Sequence, residues 1–273
     1  MSLDLERERE TLLLRREGIA LHITLNRPRS RNAMSFKMVE ELEAVFDAIH
    51  DDREIRVVVI RGAEGNLCSG GDIKDMAAAR SAKREEGGPD PMVASNRSFG
   101  TMIQKIDAAP QAVAIVAEGA VMGGGFGLLC VSDFGVAVEG AKLKLPETSL
   151  GILPAQIAPF VVRRIGLTQG RRLAVTGGKL DAKQALSLGL VHEYAADEDA
   201  LREQLDTFIS QVKRCAPNAN AVTKSLILRV GLEPLDAILD ASAEAFAEAA
   251  RGPEAMAGMG AFLQKQQPPW SQD

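Results

Sequence analysis

Two glycine turns stand out as places where the backbone itself could do chemistry. In VAEGAVMGGGFGLLCVSD, residues 116–133, a β-branched run ends at Ala117, and Gly123, Gly124 and Gly125 then open into an apolar helical pattern. Glycines at a strand-to-helix junction let N–H groups face a ligand with no Cβ in the way. The helix start adds unpaired donors and positive potential. Such a place suits a phosphate or an oxygen that gains negative charge; the competing reading is a tight turn that lets a buried helix pack closely. GAEGNLCSGGDIKDM, residues 62–76, repeats the pattern. There Asp72 lies at the helix start, and Ile73 and Met76 begin its packing face. Recurrence of strand, turn and helix at 56–80 and 112–131 predicts that two backbone donors converge on one ligand.

The elements that must hold these turns follow in chain order. Residues 11–25 read as a β-hairpin around Glu17-Gly18, with alternation in the second strand. Asn26-Arg27-Pro28 ends that strand. Ser35 caps a helix to about His50, with Met38, Leu42, Val45, Phe46 and Ile49 on one stripe. Residues 56–61 are a short buried strand, and 79–91, charged and rich in Gly and Pro, form a surface loop. Helix resumes over 93–106. Strands are predicted at 112–116 and 133–138, with a further extended piece at 142–145 before Pro146-Glu147. Helices at 157–165, 168–175 and 181–188 precede a small strand at 190–192. From Glu198 onward the pattern is helical, broken at Pro217, 231–234 and Gly252-Pro253. That tail reads as helices packing on the body or on another subunit.

Composition narrows the function classes. The 273 residues can bury a sizeable core. An apolar fraction of 46% is ordinary for a globular protein. A net charge of −5 argues against a nucleic-acid partner. Cys68, Cys130 and Cys215 are too scattered for a zinc cluster or a disulfide framework. His22, His50 and His192 form no ligand set either, so no metal is expected. A cytoplasmic location fits these cysteines and the acidic MSLDLERERE start, and no run approaches a membrane span of ~20 apolar residues. A Rossmann dehydrogenase is disfavoured because MGGGFG lacks the GxGxxG spacing.

GNLCSGGDIKDM, MGGGFGLLCVSD and LPETSLGILP, taken in that order, resemble the enoyl-CoA hydratase/isomerase (crotonase) family, and the likeness runs from the NRP at 26–28 to FLQKQ at 262–266. The resemblance implies an α/β spiral of β-β-α units over 1–197 and a helical trimerisation region over 198–273. It implies a homotrimer or a homohexamer built from trimers. It also implies an acyl-CoA substrate, with coenzyme A as the thioester carrier and no separate cofactor. Matching the motifs puts the oxyanion donors at the N–H groups of Gly71 and Gly124, where fixed dipoles meet developing charge. The coenzyme A part is expected near Arg31, Ala33, Gly70, Asp72, Ile73 and Lys74, and near Lys265 from a neighbouring subunit.

The same comparison bears on the reaction. Hydratases of the family carry two catalytic glutamates. The one in the PE motif is Glu147; the other position is Gly127, which can do no acid–base chemistry. One base could shuttle a proton, as in the double-bond isomerases, or activate a water that something else orients. Glu118, next to the oxyanion turn, is a candidate second carboxylate; the alternative is that it is paired elsewhere. LGILPAQIAPFVVRRIG and RCAPNANAVTK resemble the isohexenylglutaconyl-CoA hydratases of acyclic terpene breakdown. Such a substrate needs room for a branch and a cation or amide for its free carboxylate, with Gln156, Arg163 or Arg164 as candidates. The leading expectation is therefore a hydratase acting on a branched or glutaconyl-type enoyl-CoA. An enoyl-CoA isomerase and a non-catalytic acyl-CoA-binding protein are the alternatives.

Overall fold

The computed structural model describes residues 3–5, 8–84 and 87–272. Residues 85 and 86 of the expected surface loop lie outside the described residues, as do the ends of the two expected regions, residues 1, 2 and 273. The chain opens with the hairpin β1 (Leu12–Glu17) and β2 (Ala20–Leu25), turned by Gly18 in the left-handed region. Ser35 caps α1 (Phe36–Ile49) by accepting from the Met38 N–H, and the anticipated stripe is buried. β3 (Val57–Gly62), α2 (Ile73–Ser81), α3 (Pro91–Asp107) and β4 (Ala112–Ala117) follow. Next come β5 (Ala120–Met122), α4 (Gly124–Cys130), β6 (Phe134–Val138) and β7 (Lys142–Lys144).

The chain continues through α5 (Ala158–Thr176), β8 (Lys179–Leu180), α6 (Ala182–Ser187) and β9 (Glu193–Ala195). Gly166, at φ 75, breaks α5 into the two segments anticipated. The small strand is β9, a few residues beyond the expected 190–192, because Leu190 and Val191 are spent closing the turn after α6 and packing into the core. The last elements are α7 (Glu198–Lys213), α8 (Pro217–Leu228), α9 (Leu235–Arg251) and α10 (Pro253–Leu263). Strand, strand, helix recurs as β1-β2-α1, β4-β5-α4 and β6-β7-α5.

Six strands form one sheet in the order β1-β2-β3-β4-β6-β9, parallel except for β1, and β5-β7-β8 form a second. Alternation sends Leu21, Ile23, Val58, Ile60, Val113 and Ile115 to one face, with α1, α3 and α4 residues. Val57, Val59, Ala114 and Val136 face the other way, onto Leu201 and Val212 of α7. Each fully buried aliphatic side chain contributes about 1.5–3 kcal/mol of transfer free energy. The expected division at residue 198 thus falls before a helix that still covers the sheet, and the helices after it, α8, α9 and α10, carry exposed apolar side chains such as Ile227, Leu239, Phe246 and Phe262.

Topology brings the two glycine turns together. β3 and β4 are parallel neighbours in register from Val57↔Ala112 to Ile60↔Ile115, so both release the chain at the same end. Loops at the carboxyl ends of parallel strands are where such sheets bind ligands. The loops are then stitched to each other: Cys68 N–H donates to the Ala120 carbonyl, and Met122 N–H donates to the Cys68 carbonyl, both at 2.9 Å.

Candidate active site

One cavity collects three of the four catalytic candidates, Gly71, Gly124 and Glu147. Gly71, Asp72, Gly124, Glu147 and Gln156 line it together with Met34, Phe36, Val39, Met76, Met92, Phe99, Leu153 and Ile157. Gly71 follows β3 by way of the 62–70 loop. Met34 N–H donates to the Gly70 carbonyl and Asp72 N–H to the Met34 carbonyl, which anchors both sides of that residue. Gly124 is the first residue of α4, where no preceding turn can accept its N–H. Among the described residues neither the Gly71 nor the Gly124 N–H has a hydrogen-bond partner. Two open donors on one cavity wall can hold an oxygen that gains charge.

Glu147 reaches the same wall from β7. Gly123, at φ 50, donates its N–H to the Lys144 carbonyl at 3.2 Å, which fixes the end of β7 beside the glycine triplet. Pro146 and a 3-10 turn, Glu147–Leu150, then turn the carboxylate inward. A Cβ at Gly123 would stand 2.9 Å from Glu147 Oε1. Glycine is therefore required there twice over, by backbone sign and by contact. Glu147 Oε2 is buried with no hydrogen-bond partner among the described residues. Burial pushes its carboxyl above the usual carboxylate range.

Nothing acidic faces Glu147 from Gly127. That glycine is buried, and a Cβ there would lie 2.3 Å from Ile157 Cγ2. An apolar side chain fills the place from which a second carboxylate would act. The other acid on the wall, Asp72, is already engaged. It caps α2 by accepting from Lys74 N–H and Asp75 N–H, and it pairs with Arg27 Nη2 at 2.7 Å. Burial pushes its carboxyl up, yet the Arg27 guanidinium and the two N–H groups hold it below the usual range.

Glu118 does not face the cavity, which corrects the expectation that it supplies the second carboxylate. It is buried and held by both arms of Arg61, Nε to Oε2 and Nη2 to Oε1, each at 2.7 Å. Arg61 in turn grips Glu198 at the start of α7. Glu118 therefore ties β4 to the helix layer. The candidate arginines are also committed elsewhere. Arg163 pairs with Asp107 and lies over the Phe160 ring, while Arg164 donates to the Leu190 and Ser132 carbonyls. Only Gln156 of that trio lines the cavity.

The residues expected around coenzyme A fall into one cluster and one outlier. Arg31, in the left-handed conformation, accepts Ser69 N–H through its carbonyl, and the buried Ala33 accepts from Arg27 Nη1. Gly70 and Asp72 are buried next to them, with Asp72 on the cavity wall, and Ile73 and Lys74 at the start of α2 stand on the exposed surface. Lys265 follows α10 and is not part of the cavity wall. Sequence reading missed the groups that hold this surface. Asn32 is fully buried and donates from Nδ2 to the Ala63 and Asn66 carbonyls, and Arg27 locks Asp72. Their polar types, three residues before and two residues after Ser30, carried no periodic signal. The Met and Phe lining was legible as apolar, though not as a cavity.

The enoyl-CoA hydratase/isomerase family model matches residues 15–273. The chain belongs to that family. It is similar to the crystal structure of an enoyl-CoA hydratase/isomerase from Marinobacter aquaeolei, with 53% identity, a TM-score of 0.93, and coverage of 96% of this chain and 99% of that one. It is similar to Pseudomonas aeruginosa AtuE at 56% identity and a TM-score of 0.92, covering 96% of this chain and 100% of that chain. A Bacillus subtilis protein named a probable enoyl-CoA hydratase is 29% identical over 247 residues, 90% of this chain and 93% of its own. The mixed α/β architecture with its helical C-terminal region is the crotonase fold of those structures, and the chain is an enzyme of the hydratase/isomerase family.

Proposed function

We propose that this enzyme adds water across the α,β double bond of a branched or glutaconyl-type enoyl-CoA, with Glu147 as its single acid–base group. The observation that carries this reading is the buried, unpartnered Glu147 Oε2 in the cavity that also holds the open N–H groups of Gly71 and Gly124. Glu147 takes a proton from water as the water oxygen bonds to the β-carbon. The π electrons move onto the α-carbon and the thioester oxygen, whose charge the two N–H groups hold. Glu147 then returns the proton to the α-carbon, so one carboxylate serves both halves. The apolar lining, which includes Met34, Met76, Met92, Phe99 and Leu153, supports a branched or extended acyl chain over a short one.

Coenzyme A is the substrate's carrier in this reading, laid over Arg31, Ala33, Gly70, Asp72, Ile73 and Lys74. We extend the proposal to a homotrimer, alone or paired as a hexamer, assembled through α8, α9 and α10. Phe246, Phe262 and Leu263, exposed at 75%, 83% and 81%, support such a face. Lys265 would reach a neighbour's coenzyme A in that assembly. Three unpaired cysteines support a cytoplasmic location.

Incubation of 2-enoyl-CoA and glutaconyl-type thioesters in ¹⁸O-water tests the reaction. Label in a 3-hydroxyacyl product is the expected result. Bond migration without label would replace the hydratase with an isomerase that uses the same glutamate. Tight binding with neither conversion would leave a carrier protein.

A further inference from the structure

The acyl end of the cavity carries an amide pair that the hydration chemistry does not use. Gln156 Nε2 donates to Asn96 Oδ1 at 2.9 Å, and both side chains line the cavity with Ser95. The Gln156 amide lies directly on α3. A Cβ at Gly100 would meet Gln156 Oε1 at 2.0 Å, so the glycine makes the seat in which this amide rests. With Asn96 Oδ1 already accepting and Gln156 Oε1 turned onto Gly100, the pair presents N–H groups: the Asn96 amide and the second Gln156 Nε2 hydrogen. Around them the wall is largely apolar, and no lysine, arginine or histidine lines the cavity among the described residues; Arg97, whose Nη1 lies 3.1 Å from the same Gly100 point, donates to Thr101 and Gln104 on α3.

Position gives the distance from the reacting carbons. Phe99 lies against Gly124, its ring 3.3 Å from where a Cβ would stand, so α3 runs past the thioester end of the cavity. Asn96 is three residues before Phe99, on the order of 5 Å along the helix. That separation corresponds to a few carbon–carbon bonds beyond the thioester.

We propose that Asn96 and Gln156, seated over Gly100, form a specificity subsite that reads an oxygen acceptor near the far end of the acyl chain. This rests on the acyl-CoA reading above and names the second polar group that its substrate carries. Carboxylate and neutral ester carbonyl share the acceptor chemistry, and the absence of a cation on the wall leaves recognition to neutral donors. The pair is solvent-exposed in the free protein; a bound acyl chain covers it, and an amide donor then left facing a methyl group loses its water partner, which is the physical origin of discrimination.

The test is equilibrium binding of three saturated thioesters of equal backbone length: glutaryl-CoA, its monomethyl ester and pentanoyl-CoA. The wild-type protein is expected to prefer the two oxygenated chains over pentanoyl-CoA by about ten-fold. Asn96→Leu and Gln156→Leu should bring that ratio close to one. Gly100→Ala should do the same with its amides intact, because the added methyl displaces Gln156 from its seat. A preference for glutaryl-CoA over the ester assigns the acceptor as carboxylate, and equal preference assigns it as any carbonyl oxygen. A wild-type ratio near one, or a ratio unchanged in all three variants, overturns the subsite and leaves the hydratase reading standing. Failure of the wild type to bind any of the three thioesters overturns the acyl-CoA reading itself.

Discussion

Ile157 Cγ2 lies 2.3 Å from where a Cβ at Gly127 would stand. The absence of a side chain at Gly127 and the presence of a branched one at Ile157 are thus one packing solution. Restoring a carboxylate requires changing both. Gly127→Glu alone should overpack the site and cost about 1–3 kcal/mol of stability. Ile157→Ala in the same chain should return much of that loss. Chemical denaturation of the single and double variants checks this, and equal stability of Gly127→Glu and wild type would show that the wall yields.

Gly123→Ala should separate positioning from binding. Its methyl would stand 2.9 Å from Glu147 Oε1 on a backbone with φ 50, so the carboxylate must move. A displacement near 1 Å costs roughly 10²-fold in rate. The expected outcome in steady-state kinetics is that kcat falls by about that factor while KM changes little. A variant that loses affinity and keeps kcat would place the effect on the loop instead.

The pH profile should carry a single acid limb. Glu147 must be ionised to take a proton, and burial raises its pKa from the usual 4.5. Log kcat/KM should therefore fall with unit slope below a midpoint that lies above 4.5. A slope of two would require a second titrating carboxylate.

The same burial makes Glu147 a stability cost. Its folded-state pKa lies above its unfolded value, so the folded protein binds the proton more tightly. Stability is fully present below the unfolded pKa and is lost as pH rises through the folded one. Glu147→Gln should consequently melt higher than wild type at neutral pH, by no more than about 2 °C, because solvent screens the part of the carboxyl that is not buried. The gain should shrink as pH falls towards 4.5. A Tm that drops at neutral pH would mean the carboxylate is better solvated than its buried Oε2 implies.

Much of the fold was legible because its signals are local and periodic. The α1 stripe, the Ser35 cap and the buried run of β3 each follow from a few neighbouring residues. The glycine turns were legible as anion-friendly backbone, and parallel pairing of β3 with β4 explains why both serve one cavity. β5 escaped notice because three residues after a tight turn carry no alternation; its pairing with β7 on one side and the bridge to Cys68 on the other make it a strand. Glu118 misled for a related reason. Proximity in sequence to the oxyanion turn says nothing about the direction of a side chain, and Arg61, 57 residues earlier, decides it. Ile157 and Gly127, far apart in the chain, share a volume that only the packed structure reveals.

In the proposed hydration one carboxylate does both proton transfers. The most direct test of that role is the turnover of Glu147→Gln on an enoyl-CoA that the wild-type enzyme hydrates, with binding of the saturated thioester measured alongside. The predicted result is a kcat lower by about 10³-fold or more, in keeping with loss of a general acid–base group, while thioester affinity stays within a few-fold of wild type. A variant that keeps turnover within ten-fold of wild type would contradict the account, because the proton would then have to travel through another group.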